Sequence, residues 1–252
     1  MTGGDAQGAP DLHDLGGQTV VVIGGSAGIG FETARRVRAA GGEVVLAGRD
    51  PERLRQAAAE LRPSITAAFD ATDTDRLGAF FEGLPGTVDH VLLTAGSPFY
   101  MPLDGMDLAA ARRHFGERLA MTLGVALHSA GRVRPGGTVL FLGGTGGRRP
   151  GIGMAVASAL TAALPALTAN LALELAPIRV NLIAAGFVDT PLSASLLGDR
   201  IEARREELRA ALPVRRLVGP ADVAALATHI MVNDALTGAT YDIDGGQNLI
   251  AH

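Results

Sequence analysis

Short apolar runs rich in β-branched residues recur along the chain, and each gives way to a stretch with helical spacing. Val20-Val21-Val22-Ile23 is the first of them. It stops in a turn carrying Gly24, Gly25, Gly28 and Gly30, and a helical pattern begins at Phe31 (FETARRVRAA). Runs of this kind fit strands buried on both faces, with the intervening helices as covering layers. The same pattern predicts strands over 43–48, 64–69, 88–93, 137–142, 179–184 and 239–243. Helices are predicted over 51–61, 73–81, 107–131, 153–176, 193–212 and 221–231. Asp50 is placed to cap the first of these, and Pro51 suits its first turn. The alternation predicts an α/β fold: a single domain built on a doubly wound, seven-stranded parallel sheet, with helices on both faces and right-handed connections. Ligands on such sheets bind beyond the C-terminal ends of the strands.

Thr19 to Gly30 sets a strand, a glycine-rich turn and a helix start in that order. The turn exposes backbone N–H groups and the helix start carries a partial positive charge, so a pyrophosphate is the natural guest. Gly24, Ser26, Ala27, Gly28, Ile29 and Gly30 are the residues expected to hold it. Residues 18–252 therefore read as one dinucleotide-binding Rossmann-fold domain. The stretch 1–17, rich in Gly, Asp, Ala and Pro, lacks a basic start and an apolar core, and reads as a disordered tail.

Composition removes several chemistries. There is no cysteine, which excludes disulfides, thiolate catalysis and Cys-based metal sites, and no metal centre is expected. There is also no lysine: all 22 basic residues are arginine, and tyrosine occurs only at Tyr100 and Tyr241. A net charge of −4 offers no basic face for nucleic acid. Residues 150–173 carry no charge, as a membrane span would require. Pro165, Asn170 and the many Ala, Ser and Thr there favour instead a helix buried at a subunit interface, in a soluble, cytoplasmic protein.

The second strand reports on the cofactor. An acid at its end hydrogen-bonds a free ribose 2′-hydroxyl, whereas an arginine accommodates a 2′-phosphate. Here the strand ends Ala47-Gly48-Arg49 with no acid before Arg49, which favours NADP(H) over NAD. Asp70, at the end of the third strand, is placed to accept from an adenine amine or to cap the next helix.

From residue 18 to 250 the sequence resembles the short-chain dehydrogenase/reductase family. Gly24, Gly28, Ile29 and Gly30 match its glycine motif, with Ile23 where the family usually has threonine. Asp70-Ala71-Thr72 resembles its adenine-contacting segment, and Thr94-Ala95-Gly96 the second half of its Asn-Asn-Ala-Gly signature. Arg179-Val180-Asn181 and the segment Gly186, Val188, Thr190-Pro191 resemble the part flanking the nicotinamide, with Ala185 replacing the usual proline. Gly238 and Asp244-Gly245-Gly246 resemble its C-terminal signature. The resemblance implies a cofactor contacted by the glycine turn, Arg49, Asp70, Ala71, Ala95, Gly96, Gly186, Val188 and Thr190.

The family's usual catalyst is a Ser, a Tyr with a Lys four residues on, and an Asn on the preceding helix. Laying matching segments together puts Gly144 at the serine position, Ala157 at the tyrosine, Thr161 at the lysine and Arg118 at the asparagine. Candidates to act instead are Arg118, His114 one turn before it, and Thr145 beside the serine position. Tyr100, Arg148 and Arg149 are further candidates from the surrounding loops, and Ser158 sits one step from the tyrosine position. The expectation is an NADP(H)-dependent oxidoreductase with a non-standard site and a small-molecule substrate. The alternative is a catalytically inactive, nucleotide-binding structural or regulatory subunit. The resemblance also implies a homodimer or homotetramer paired through the helices at 107–131 and 153–176.

Overall fold

The computed structural model describes residues 15–250. Strand and helix alternate as β1 (Thr19–Ile23), α1 (Gly28–Ala39), β2 (Glu43–Gly48), α2 (Pro51–Leu61), β3 (Ile65–Ala68) and α3 (Thr74–Glu82). There follow β4 (Val88–Leu93), α4 (Leu108–Ser129), β5 (Val133–Gly144), α5 (Ala155–Glu174) and β6 (Arg179–Ala185). The chain closes with α6 (Pro191–Leu197), α7 (Ile201–Ala211), α8 (Pro220–Val232) and β7 (Thr240–Ile243). All pairings are parallel in one seven-stranded sheet of order β3-β2-β1-β4-β5-β6-β7.

The unbroken apolar run of β1 is explained by two cores. Val21 and Ile23 pack with Leu77, Phe81, Met121 and Leu164 on the face covered by α3, α4 and α5. Val20 and Val22 pack with Val37, Leu54 and Val223 on the face covered by α1, α2 and α8. Successive side chains of a strand point to opposite faces, so a strand covered on both sides is apolar throughout.

Caps set the helix starts. Asp50, Asp73 and Asp107 each accept backbone N–H groups in the first turns of α2, α3 and α4. By contrast, α1 follows Ala27 with no side-chain cap and no acid in its first turn.

Most boundaries fall within one or two residues of those read in the sequence, and four differ by more. The first helix starts at Gly28 rather than Phe31, because glycines carry no side chain to reveal the helical period. The helix expected over 193–212 is broken: α6 ends at Gly198, which takes φ +53, and a short 3₁₀ turn precedes α7. The strand β5 begins at Val133, with a register shift against β4 between Val88 and His90. Leu15, assigned to the tail, is 1% exposed and packs in the second core, its N–H donating to Ala40 O at 3.0 Å. Residues 1–14 of that tail lie outside the described residues.

Candidate cofactor and active site

The strand order reverses between β1 and β4, and the loops leaving these two strands meet there. The Ala95 N–H donates to Ile23 O at 3.0 Å, and the Thr94 hydroxyl donates to Gly24 O at 3.1 Å. Gly24 takes φ +100, and a Cβ there would lie 2.5 Å from Thr94 Oγ1 and 2.7 Å from Ala95 N. Only glycine fits. A Cβ on Gly30 would overlap the Gly24 carbonyl, so glycine also lets α1 pack close to the strand end. Gly28 faces the loop after β6, the Thr190 side chain lying 3.7 Å from where a Cβ would sit. Sequence reasoning took Thr94 only as part of a motif and missed that its hydroxyl joins the two loops.

At the end of β2, Ser26 lies against Gly48, with its Oγ 3.0 Å from where a Cβ would be. Arg49 is exposed beyond it. The neighbouring Asp50 carboxylate is taken up in capping, accepting from Glu52 N at 2.9 Å and Arg53 N at 3.1 Å. Asp70 holds a turn: its Oδ1 accepts from Thr72 N at 3.0 Å and from the Thr72 hydroxyl at 2.8 Å. Those bonds, aided by the Arg49 charge, keep its carboxyl below the usual carboxylate range. Ala71 beside it is buried.

The far wall is made by the loop after β6. Gly186 is pressed by Asp244 and Gln247, each of which would come within 2.6 Å of a Cβ there. Gln247 Oε1 accepts from Phe187 N at 2.8 Å, while Asp244 accepts from the N–H groups of Gly246 and Asn248 at 2.8 Å. Val188 is buried and bridges to Val218, and Thr190 caps α6 by accepting from Ser193 N at 3.2 Å. Gln247 is a site-building residue that sequence reasoning missed. Its only signal was its place directly after Asp244-Gly245-Gly246.

Between these walls stand the positions that family resemblance marks for chemistry. The Thr161 hydroxyl donates back to Ala157 O at 2.9 Å and Ser158 O at 3.1 Å, within its own helix. Its methyl sits 3.4 Å from where a Cβ of Gly144 would be. The loop after β5 lies directly on α5: Ser158 Oγ donates to Gly146 O at 2.9 Å, and a Cβ on Gly147 would lie 2.9 Å from Ala162 N. Gly144, Ala157 and Thr161 are thus brought together as expected, and none of them carries an acid or a base. Thr145 is 5% exposed; its N–H donates to Ala185 O at 3.1 Å and its hydroxyl makes no hydrogen bond among the described residues.

Arg118 reaches from α4 to the C-terminal ends of two strands. Its guanidinium donates to Ala95 O and, at 2.9 Å, to Leu142 O. Desolvation pushes its pKa below the usual arginine value. Gly96 takes φ +116, a conformation L side chains rarely adopt, and the guanidinium lies where a Cβ would be. His114, one turn earlier, sits tilted against Phe99 with ring centroids 5.3 Å apart. Its Nε2 is buried without a partner, and burial together with the Arg118 charge pushes its pKa down. Tyr100 is 54% exposed on a loop pinned by Met101 N donating to Gly153 O at 2.9 Å. Arg148, one of the loop candidates, makes a two-pronged pair with Asp242 at 2.5 and 2.6 Å within the chain.

Known proteins agree with this architecture. A family profile described as Enoyl-(Acyl carrier protein) reductase matches residues 24–248. Dehydrogenase/reductase SDR family member 4 of Sus scrofa is 31% identical over 250 residues, spanning 92% of this chain and 88% of its own. A solved small-chain dehydrogenase in complex with NADPH superposes with a TM-score of 0.80 at 28% identity, over 92% of this chain and 99% of that one. MalC reductase/Diels-Alderase from Malbranchea aurantiaca superposes with a TM-score of 0.88, over 95% of this chain and 99% of that one. At 24% identity this last likeness concerns the fold alone. With its glycine turn at the strand-order reversal and a match along nearly its whole length, the chain belongs to the short-chain dehydrogenase/reductase family.

Proposed function

We propose that the chain is an NADP(H)-dependent oxidoreductase whose active site works without the family's usual Asn-Ser-Tyr-Lys set, moving hydride to or from a small organic substrate. The observation that carries the cofactor half is the start of α1. Gly28 opens that helix with neither a side-chain cap nor an acid, so its first N–H groups are left for an external anion. Its surroundings fit a dinucleotide: Gly28 is free of close backbone contact and faces Thr190 on the opposite loop. The backbone of Gly24 to Gly30 would hold the pyrophosphate, Arg49 a ribose 2′-phosphate, and Gly186 to Thr190 the nicotinamide end. The NADPH bound by the 28%-identical structural relative supports the same choice. When bound, the cofactor supplies hydride.

The chemical half rests on magnitudes. General acid catalysis contributes about 10²- to 10⁴-fold, roughly 3–5 kcal/mol of barrier. Holding donor and acceptor in place is worth roughly 7–11 kcal/mol. Positioning therefore outweighs the missing proton donor, and an activated substrate is within reach of this site. In this reading Arg118 stabilises negative charge on the substrate, His114 stands behind it as a neutral ring, and the Thr145 hydroxyl is the neutral donor on the β5 side.

The test is oxidation of NADPH by the purified protein across a panel of ketones, conjugated carbonyls and imines. Binding of NADPH with no oxidation across the panel would favour the second reading, a nucleotide-binding subunit without chemistry. The residues at 144, 157 and 161, which offer no proton-transfer group, are what keeps that reading alive.

A further inference from the structure

We infer that Arg118 is a positioning residue for the cofactor. Its guanidinium stands in for the rung missing between β4 and β5, and through Ala95 and Thr94 it holds the glycine turn in its binding shape. This rests on the dinucleotide binding proposed above and adds a role for Arg118 on the cofactor side of the crevice.

The sheet itself creates the gap. The ladder between β4 and β5 ends at the pair Leu93 and Phe141. Beyond it, Leu142, Gly143 and Gly144 are partnered by β6 alone. The end of β4 leans the other way, onto β1: the N–H groups of Thr94 and Ala95 both donate to Ile23 O, at 2.8 and 3.0 Å. Arg118 bridges the parting, one terminal nitrogen donating to Ala95 O and the other to Leu142 O. A planar guanidinium can span two acceptors in this way, and its charge makes each bond about twice as strong as a neutral one. No ion pair draws it elsewhere among the described residues. Its root is firm, since Met121 and Val125 pack in the first core and the Thr122 hydroxyl donates to Arg118 O at 2.9 Å.

From Ala95 the restraint passes to the cradle. On its β2 side the glycine turn is held by main-chain bonds, Gly24 N and Gly25 N donating to Ala47 O at 2.8 and 3.1 Å. On its β4 side the Thr94 hydroxyl donates to Gly24 O at 3.1 Å. Thr94 keeps that bond while the peptide after it stays against β1, and Arg118 holds the far side of that residue. Without the guanidinium, the loop at Ala95 and Gly96 is tied to β1 alone, and the turn loses the support of its β4 wall. Bonds that share one loop do not contribute independently, which makes the relay measurable.

The experiment titrates NADPH and NADH, by nucleotide fluorescence, into the full-length protein and its Thr94→Val, Arg118→Met and doubly substituted variants. Each variant is first checked for a native circular dichroism spectrum. Arg118→Met should weaken both nucleotides equally, about tenfold, since the turn serves the pyrophosphate that they share. The double variant should bind within about threefold of Arg118→Met alone, because the Thr94 bond is already lost with its support. Arg118→Lys, whose ammonium cannot span both carbonyls, should recover only part of the affinity. Free guanidinium should restore binding to Arg118→Ala where free methylammonium does not. Parental affinity in folded Arg118→Met overturns the inference, and so does a double variant whose loss is the product of the two single losses. Full recovery by Arg118→Lys, or a loss confined to NADPH, overturns it as well. All four results leave dinucleotide binding standing. Should Arg118→Met not fold, Arg118→Gln carries the same expectations. Failure of the parent protein to bind either nucleotide overturns the inference together with the reading beneath it.

Discussion

The Thr94 hydroxyl donates to the Gly24 carbonyl at 3.1 Å, tying the end of β4 to the glycine turn that follows β1. The bond crosses the point where the strand order reverses, so it sets the spacing of the two loops that border the cofactor crevice. Thr94→Val keeps the shape and removes the donor. It should cost about 1 kcal/mol of stability, read as a lower denaturant midpoint, because one neutral hydrogen bond is lost. NADPH affinity should fall several-fold as the turn loosens. Thr94→Ser should restore both; a Val variant with unchanged affinity would show that the turn holds its shape without this bond.

Arg49 is exposed beside the end of β2 and makes no ion pair among the described residues, and the adjacent Asp50 carboxylate is engaged by the N–H groups of Glu52 and Arg53. A charge-assisted bond to a phosphate is worth about 1.5–3 kcal/mol, so Arg49→Ala should weaken NADPH binding roughly 10- to 150-fold. NADH, which lacks the 2′-phosphate, should bind the variant and the parent alike. Fluorescence titration of both nucleotides checks the pair. Equal losses for the two would place Arg49 away from the 2′-phosphate.

His90 makes folding stability depend on pH at the other end of the sheet. The ring is 1% exposed, with Nε2 2.7 Å from Gln18 Oε1 and Nδ1 without a partner. Burial pushes its pKa from 6.5 to about 3; Asp89 opposes the shift, while Arg179 and Arg134 add to it. The folded state therefore refuses a proton that the unfolded chain accepts. The associated stability is whole above pH 6.5 and declines as the pH falls from there towards 3. The slope is at most about 1.4 kcal/mol per pH unit. His90→Gln should flatten this part of a denaturant-midpoint profile between pH 7 and pH 5 by that order. An unchanged slope would mean that His90 is protonated in the fold.

The sheet was legible in the sequence because burial on both faces leaves unbroken apolar runs, and β2, β4 and α2 fall where those runs and their caps place them. The start of α1 was not, since Gly28 and Gly30 carry no side chain to show a period. The break at Gly198 was hidden among helix-forming neighbours, and only its positive φ reveals it. At the site, the glycine turn was readable as a motif, but the setting of Arg118 was not. Its partners, Ala95 O and Leu142 O, are main-chain atoms that any residue could supply, and only the fold brings them to it. Gln247 escaped notice for a similar reason, as its amide oxygen serves the backbone N–H of Phe187, 60 residues away in sequence.

The outer faces of α4 and α5 lead to a prediction about assembly. On α5, Ala157, Leu160, Leu164 and Leu171 are buried, while Ala155, Ala159, Ala162, Ala166 and Leu173 are open to water. Leu123 and Leu127 of the adjacent α4 are 47% and 70% exposed, and Leu173 is 80% exposed. Ala155–Glu174 is also long and apolar enough to cross a membrane, yet its inner face is already committed to the sheet. An open face of small and branched apolar residues across two neighbouring helices is suited to a second copy, because small side chains let helices approach closely. The protein should sediment as a dimer or tetramer at micromolar concentration. Leu127→Arg combined with Ala162→Arg should give a monomer with an unchanged far-ultraviolet circular dichroism spectrum, since both side chains already face water. Sedimentation of the parent protein as a monomer would leave these faces without a partner of their own kind.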